Sequence, residues 1–178
     1  MKSLHTIYHQ FEHIADRWIS DIDKYTDEQF LKKPDEHQWS IGQVYVHLIQ
    51  SANSFHLKQI QLCAERKGKE LSGGKKVPGR ISFTLGMFPP VRIHVPPSPS
   101  YTPGQPADKN EVRRQLQELK QTMKDHLSKA ERAPLLQKTE HPAFGYLNAR
   151  EWFHLVLMHF RHHRRQQARV NTFLGVTL

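Results

Sequence analysis

Histidines at helical spacing are the residues of this chain whose type and position can do chemistry. His159 and His163 stand four apart inside Asn148 to Val170, which reads NAREWFHLVLMHFRHHRRQQARV. Asn148 followed three residues later by Glu151 is a capping-box pattern, so a helix is predicted to begin there. At 3.6 residues per turn the two imidazoles lie within about 40° of each other. Trp152, Leu155, Val156, Gln166 and Val170 fall on their side, and Arg161, Arg164 and Arg165 on the other. Phase therefore sends the imidazoles toward a core and the arginines toward water, and the basic turn Arg164, Arg165 and Arg169 suits a helix C-terminus. A buried imidazole needs its nitrogens satisfied. On this helix alone two readings stand level: a metal ion shared by the pair, or hydrogen bonds to carbonyls and amides within an aromatic core.

Two other sets of histidines bear on that choice. His5, His9 and His13 repeat at i, i+4 and i+8 and match a metal site by residue type. Their phase is opposite to Phe11 and Trp18, so they are expected on a solvated face and not in the functional site. His47 sits at the edge of the apolar stripe Val44, Leu48, Phe55 and Leu62. Alone it reads as structural; with His159 and His163 it completes a set of three ligands.

The elements that must position these side chains are four long helices. Leu4, Tyr8, Phe11, Ala15, Trp18 and Ile22 recur at spacings of three and four, predicting a helix over 3–24. Thr26 with Gln29 caps a short helix that Pro34 stops. Ser40 with Gln43 caps a second long helix over 40–67, and Asp108 with Glu111 caps a third over 109–132, with Leu116, Leu119, Met123 and Leu127 in phase. The fourth is predicted over 149–172. Residues 68–108 hold most of the eleven prolines. Ile81, Phe83 and Leu85 alternate, as do Val91, Ile93 and Val95, which fits a hairpin, or else a short helix at 79–88 followed by an extended segment. PPSPSYTP favours polyproline II. This crossover is expected to drape over the bundle and wall a pocket, with His94 outward. EHPAFGYL, 140–147, is read as a loop, with Phe144 and Tyr146 at a pocket mouth or plugging the core.

Composition bounds the rest. A chain of 178 residues with three Trp and nine Phe can bury one sizeable core, so a single domain over 1–178 is expected. Mean hydropathy is -0.69, and no run approaches the ~20 apolar residues of a membrane span. Cys63 is the only cysteine, so no internal disulfide forms, and with no apolar leader at the N-terminus the cytoplasm is the expected compartment. The net charge of +9 raises nucleic acid as a partner. The basic residues do not interleave with exposed aromatics and no recognition motif is present, so nucleic acid is not expected; without an apolar span, no membrane is expected either.

WSIGQVYVHLI, with Trp39 and His47, resembles the first motif of the DinB/YfiT-like superfamily. HFRHHRRQ, from His159 to Gln166, resembles its second, with Arg165 where the family often has glycine. The resemblance spans nearly the whole chain. It implies an all-α, up-down-down-up four-helix bundle, often a homodimer, with a divalent ion, zinc or nickel, held by His47, His159 and His163. Three neutral imidazoles leave coordination positions open, the pattern of a catalytic site, where a water or a thiol becomes acidic. Phe160, next to His159, excludes the H-E-x-x-H arrangement with its glutamate base. Members of the family include thiol-dependent S-transferases, a thiol-dependent isomerase and metal-dependent hydrolases. The expected function is therefore thiol-dependent S-transfer or hydrolysis of a small molecule, with a low-molecular-weight thiol as cosubstrate. The alternative is a metal-stabilised binding or assembly protein without turnover. Gln43 and Gln166 are expected to orient ligands from behind, although capping also accounts for Gln43 and helix propensity for Gln166.

Overall fold

The computed structural model describes residues 2–89 and 102–177. The expectations for His94, for Val91, Ile93 and Val95, and for most of PPSPSYTP lie outside the described residues. Helices dominate: α1 Leu4–Asp21, α2 Asp27–Leu31, α3 Ile41–Gln50, α4 Leu57–Ala64, α5 Val77–Leu85, α6 Lys109–Arg132 and α7 Ala149–Leu174. A 3₁₀ turn, Ile22–Lys24, extends α1, and a π-helical turn, Ser51–His56, joins α3 to α4. The predicted caps form. Thr26, Ser40 and Asn148 make complete capping boxes with Gln29, Gln43 and Glu151, and Asp108 accepts from the Glu111 amide.

Cross-helix contacts give the directions. Phe11 meets Phe160 edge-on at 5.2 Å, Arg164 lies over Trp18, and Tyr25 donates to Asn171. Numbers rise together, so α1 and α7 run parallel. His5 with Glu131, Asp16 with Lys120 and Asp23 with Arg113 run in opposite senses, so α6 is antiparallel to α1. His47 meets His163, Phe55 meets Trp152 and Cys63 meets Leu147, so the α3–α4 rod is antiparallel to α7. The result is the expected all-α up-down-down-up bundle. Its buried side chains, Phe11, Trp18, Tyr45, Leu48, Leu119, Met123, Trp152 and Phe160 among them, form one continuous cluster.

The π turn corrects the stripe read for the second helix. A straight helix would carry Val44 and Leu48 on to Phe55 and Leu62. The buried positions are instead Val44, Leu48, Ala52, His56, Leu57, Ile60 and Cys63, with Phe55 and Leu62 only half-buried. One extra residue in the turn advances the register by one place.

The expected loop over 140–147 is a hairpin. β2, Gln137–His141, pairs antiparallel with β3, Gly145–Asn148, and β1, Lys69–Glu70, adds to the other edge of β2. The loop holds three residues and closes on Gly145 at φ 78°, the left-handed position that ends such loops. His141 Nδ1 accepts from the Ala143 and Phe144 amides, and its ring stacks on Phe144 at 4.5 Å. The sheet lies where α4 ends and α7 begins, not at the centre of the bundle. In the crossover the helical alternative holds: α5 ends at Gly86, at φ 66°, and Phe88 turns inward.

α7 runs to Leu174, two residues beyond the predicted 149–172, and is capped by Gly175. One feature departs from the phase reading. Arg164 does not point to water but pairs with the buried Asp21. Burial alone would raise the Asp21 carboxyl, but Arg164 and Lys24 outweigh it and hold it below the usual range. Gln167 joins this group by donating to Asp21 and to the Tyr25 hydroxyl.

Candidate metal centre

The first half of α7 is enclosed on nearly all sides, with Phe83 of α5 against His154, on the side that phase alone would leave to water, and His141 of the hairpin against Trp152. Every residue from Glu151 to Met158 is buried. His159 comes next, where a little surface opens, and His163 follows one turn on at 8% exposure. From the antiparallel α3, Val44 and Leu48 are wholly buried and fix the helix face that brings His47 across. Trp39, ahead of the Ser40 cap, packs its ring 4.9 Å from that of His47.

The three imidazoles converge. His47 Nε2 lies 3.1 Å from His159 Nε2, and His163 Nε2 lies 2.9 Å from the same atom. All three ligand atoms fall within 4.8 Å of one another. An ion bound tetrahedrally to three imidazoles at zinc distances sets the nitrogens about 3.3 Å apart. The two spacings to His159 are close to that, and the third lies within 4.8 Å, so the three residues fit a divalent ion.

The far sides of the rings support the same reading. His163 Nδ1 lies 2.8 Å from Gln166 Oε1. With the amide oxygen toward the ring, Nδ1–H donates and Nε2 keeps a bare lone pair facing the common point. Ser51 Oγ stands 3.4 Å from His47 Nδ1. His159 Nδ1 is buried with no hydrogen-bond partner among the described residues. Burial pushes His47 down to about 4, with the neighbouring His162 adding to the shift, and pushes His159 and His163 well below their ordinary value. All three are thus neutral near pH 7, the state in which imidazole binds a metal. No carboxylate among the described residues makes a hydrogen bond or ion pair to the three.

Of the residues singled out from the sequence, His47, His159, His163 and Gln166 come together. Gln43 does not reach them: its amide accepts from the Ser40 N–H and donates to the Pro103 carbonyl. His5, His9 and His13 are exposed, as expected. His162, expected to be turned away, is half-buried, its ring 5.3 Å from His163 and 5.2 Å from Phe88. Three residues near the site escaped the sequence reading. Fully enclosed His56 stands edge-on to His159 at 5.3 Å, Phe88 lies 6.1 Å from His159, and Ser51 backs His47. Ser51 at i+4 from His47 was visible as a spacing. His56 was not, because the π turn that turns it inward has no sequence signature.

Among the described residues no helix is long and apolar enough to cross a membrane. No curated protein matches the chain. A family model described as the DinB superfamily matches residues 4–167, a span that contains α1 to α6, most of α7 and all three converging histidines. On that match, the chain belongs to the DinB superfamily.

Proposed function

We propose that this protein is a metal-dependent enzyme that uses a divalent ion, zinc or nickel, to transfer a low-molecular-weight thiol to a small electrophile. The observation that carries this reading is the convergence of three neutral imidazole Nε2 atoms with no carboxylate bonded to them. His47, His159 and His163 would hold the ion. When bound, it would act as a Lewis acid that lowers the pKa of a coordinated thiol or water. Gln166 sets the tautomer of His163, Ser51 stands behind His47, and Trp39 and Phe88 wall the centre and limit water. A thiol, with an unperturbed pKa of about 8.5, needs less help to ionise than water does. A centre without a carboxylate base therefore favours thiol chemistry over base-assisted hydrolysis. A homodimer in the cytoplasm is the setting that goes with this proposal.

The test begins with metal-free protein. Zinc and nickel are titrated in, and the loaded protein is offered low-molecular-weight thiols with an electrophile panel, then ester and amide panels without thiol. The expected result is turnover that requires both metal and thiol and disappears in His163→Ala. Thiol-independent cleavage of esters or amides would make the protein a hydrolase. Tight metal binding with no turnover in any panel would make it a binding protein stabilised by its ion.

A further inference from the structure

α5 is amphipathic in the unusual sense. Its inward face carries Gly79 and Ser82, both buried. A Cβ at Gly79 would lie 2.4 Å from the Phe144 carbonyl oxygen, so the helix sits tight on the hairpin. Its outward face carries Val77, Ile81 and Leu85 at i, i+4 and i+8, exposed by 67%, 51% and 63%. Met87, 43% exposed, continues the patch. Large apolar side chains clustered this way on a surface mark an interaction site.

In sequence the charge flanking this stripe is basic, although Lys75 is paired with Glu151. From Leu71 to Ala107 the sequence contains Lys75, Lys76, Arg80 and Arg92 and no Asp or Glu. Lys76 and Arg80 are exposed. At the other end of α5, a Cβ at Gly86 would lie 3.7 Å from His154 Cε1. Burial lowers the His154 imidazole to about 4, and the charges of Arg161 and Lys2 add to that. The stripe is therefore apolar, with the exposed cations Lys76 and Arg80 beside its N-terminal half.

That combination selects the occupant. A second copy would set cations against cations, in a chain that already carries +9. A helix with an apolar face and basic flanks has the chemistry of one that lies in the plane of an anionic bilayer. We propose that α5 docks this protein on anionic membrane surfaces, with Val77, Ile81, Leu85 and Met87 entering the acyl boundary and Lys76 and Arg80 meeting lipid phosphates. Such docking needs no spanning segment, so the absence of one among the described helices does not bear on it.

The test is co-sedimentation of the full-length chain with phosphatidylcholine vesicles with and without phosphatidylglycerol, at low and high salt. Ile81→Ser/Leu85→Ser and Arg80→Glu are compared with wild type, and circular dichroism checks the fold. Binding is expected only to the anionic vesicles. It should fall about tenfold or more in the double variant and severalfold in Arg80→Glu and at high salt. Three outcomes would overturn the proposal. One is no sedimentation with anionic vesicles. Another is equal binding by the double variant, which would assign the effect to net charge alone. The third is a concentration-dependent dimer that the double variant abolishes, which would make the stripe a contact between copies.

Discussion

α1 and α7 carry histidines at the same spacing and put them to opposite uses. His5, His9 and His13 are exposed, and two lean on carboxylates, His5 on Glu131 at 3.4 Å and His9 on Glu12 at 3.1 Å. His159 and His163 face inward, and the partner they meet is a third imidazole from another helix. Spacing alone does not distinguish the two sets. The difference lies in what stands on the rest of each helix face: on α1 the apolar stripe is opposite the histidines, on α7 it includes them. An i, i+4 pair becomes a candidate metal centre only where desolvation keeps it neutral and a third donor arrives from elsewhere in the fold.

The contrast is most directly broken by substitution. His163→Ala is expected to weaken zinc or nickel binding by more than about a hundredfold, beyond what loss of a supporting residue costs. Replacing His5, His9 and His13 together should leave the stoichiometry of the core site unchanged. Isothermal titration of metal into both proteins reads this, and equal affinities would erase the distinction between the two helices.

Acid sharpens it next. Burial holds His141 and His154 near 4 and His56 near 3, whereas in the unfolded chain they would titrate near ~6.5. Between those values the unfolded chain takes up protons that the fold refuses. Stability is therefore full above about pH 6.5 and drains away as pH falls toward 4, by up to about 1.4 kcal/mol per unit for each group. Urea unfolding of metal-free protein across this range should show the slope, and a flat profile would mean that these rings are solvated. Metal affinity has the same sign but a lower midpoint than an exposed histidine would give. With His47 lowered to about 4, affinity should hold through pH 6.5 and fall nearer 4.

Smaller effects are expected behind the ligands. Gln166→Ala frees the His163 ring and should cost about tenfold to a hundredfold in affinity, with unfolding little changed because Gln166 is not in the packed core. His162→Ala should cost less, since its ring touches Phe88 and His163 without joining the convergent nitrogens. If it matched His163→Ala, the set of three would be wrongly chosen.

Much of this is legible in the sequence. The capping pairs at Thr26, Ser40, Asp108 and Asn148 marked helix starts because they are local chemistry, decided within four residues. The inward phase of His159 and His163 was legible because α7 is a regular helix. What escaped depends on partners distant in sequence. Arg164 sits on the polar side of α7 by phase, but Asp21 and Trp18 of α1 meet it there. His154 is buried because α5 lies against it, with the Phe83 ring 6.0 Å away. The hairpin itself was hidden in a short segment whose single proline, Pro142, and Gly145 read equally well as an irregular loop.

The π turn at Ser51–His56 behaves as a dislocation in a one-dimensional lattice. It separates two blocks of one rod, Ile41–Gln50 and Leu57–Ala64, and lets each keep its own azimuth. His47 can be aimed at α7 by the first block while Ile60 and Cys63 are packed by the second, with neither orientation dictating the other. Deleting one residue from the turn would heal the dislocation, and the second block would then have to rotate by about 100° to stay continuous with the first. The same deletion within the first block would instead swing His47 itself away from its partners, so the two halves of this rod answer to different constraints on their length.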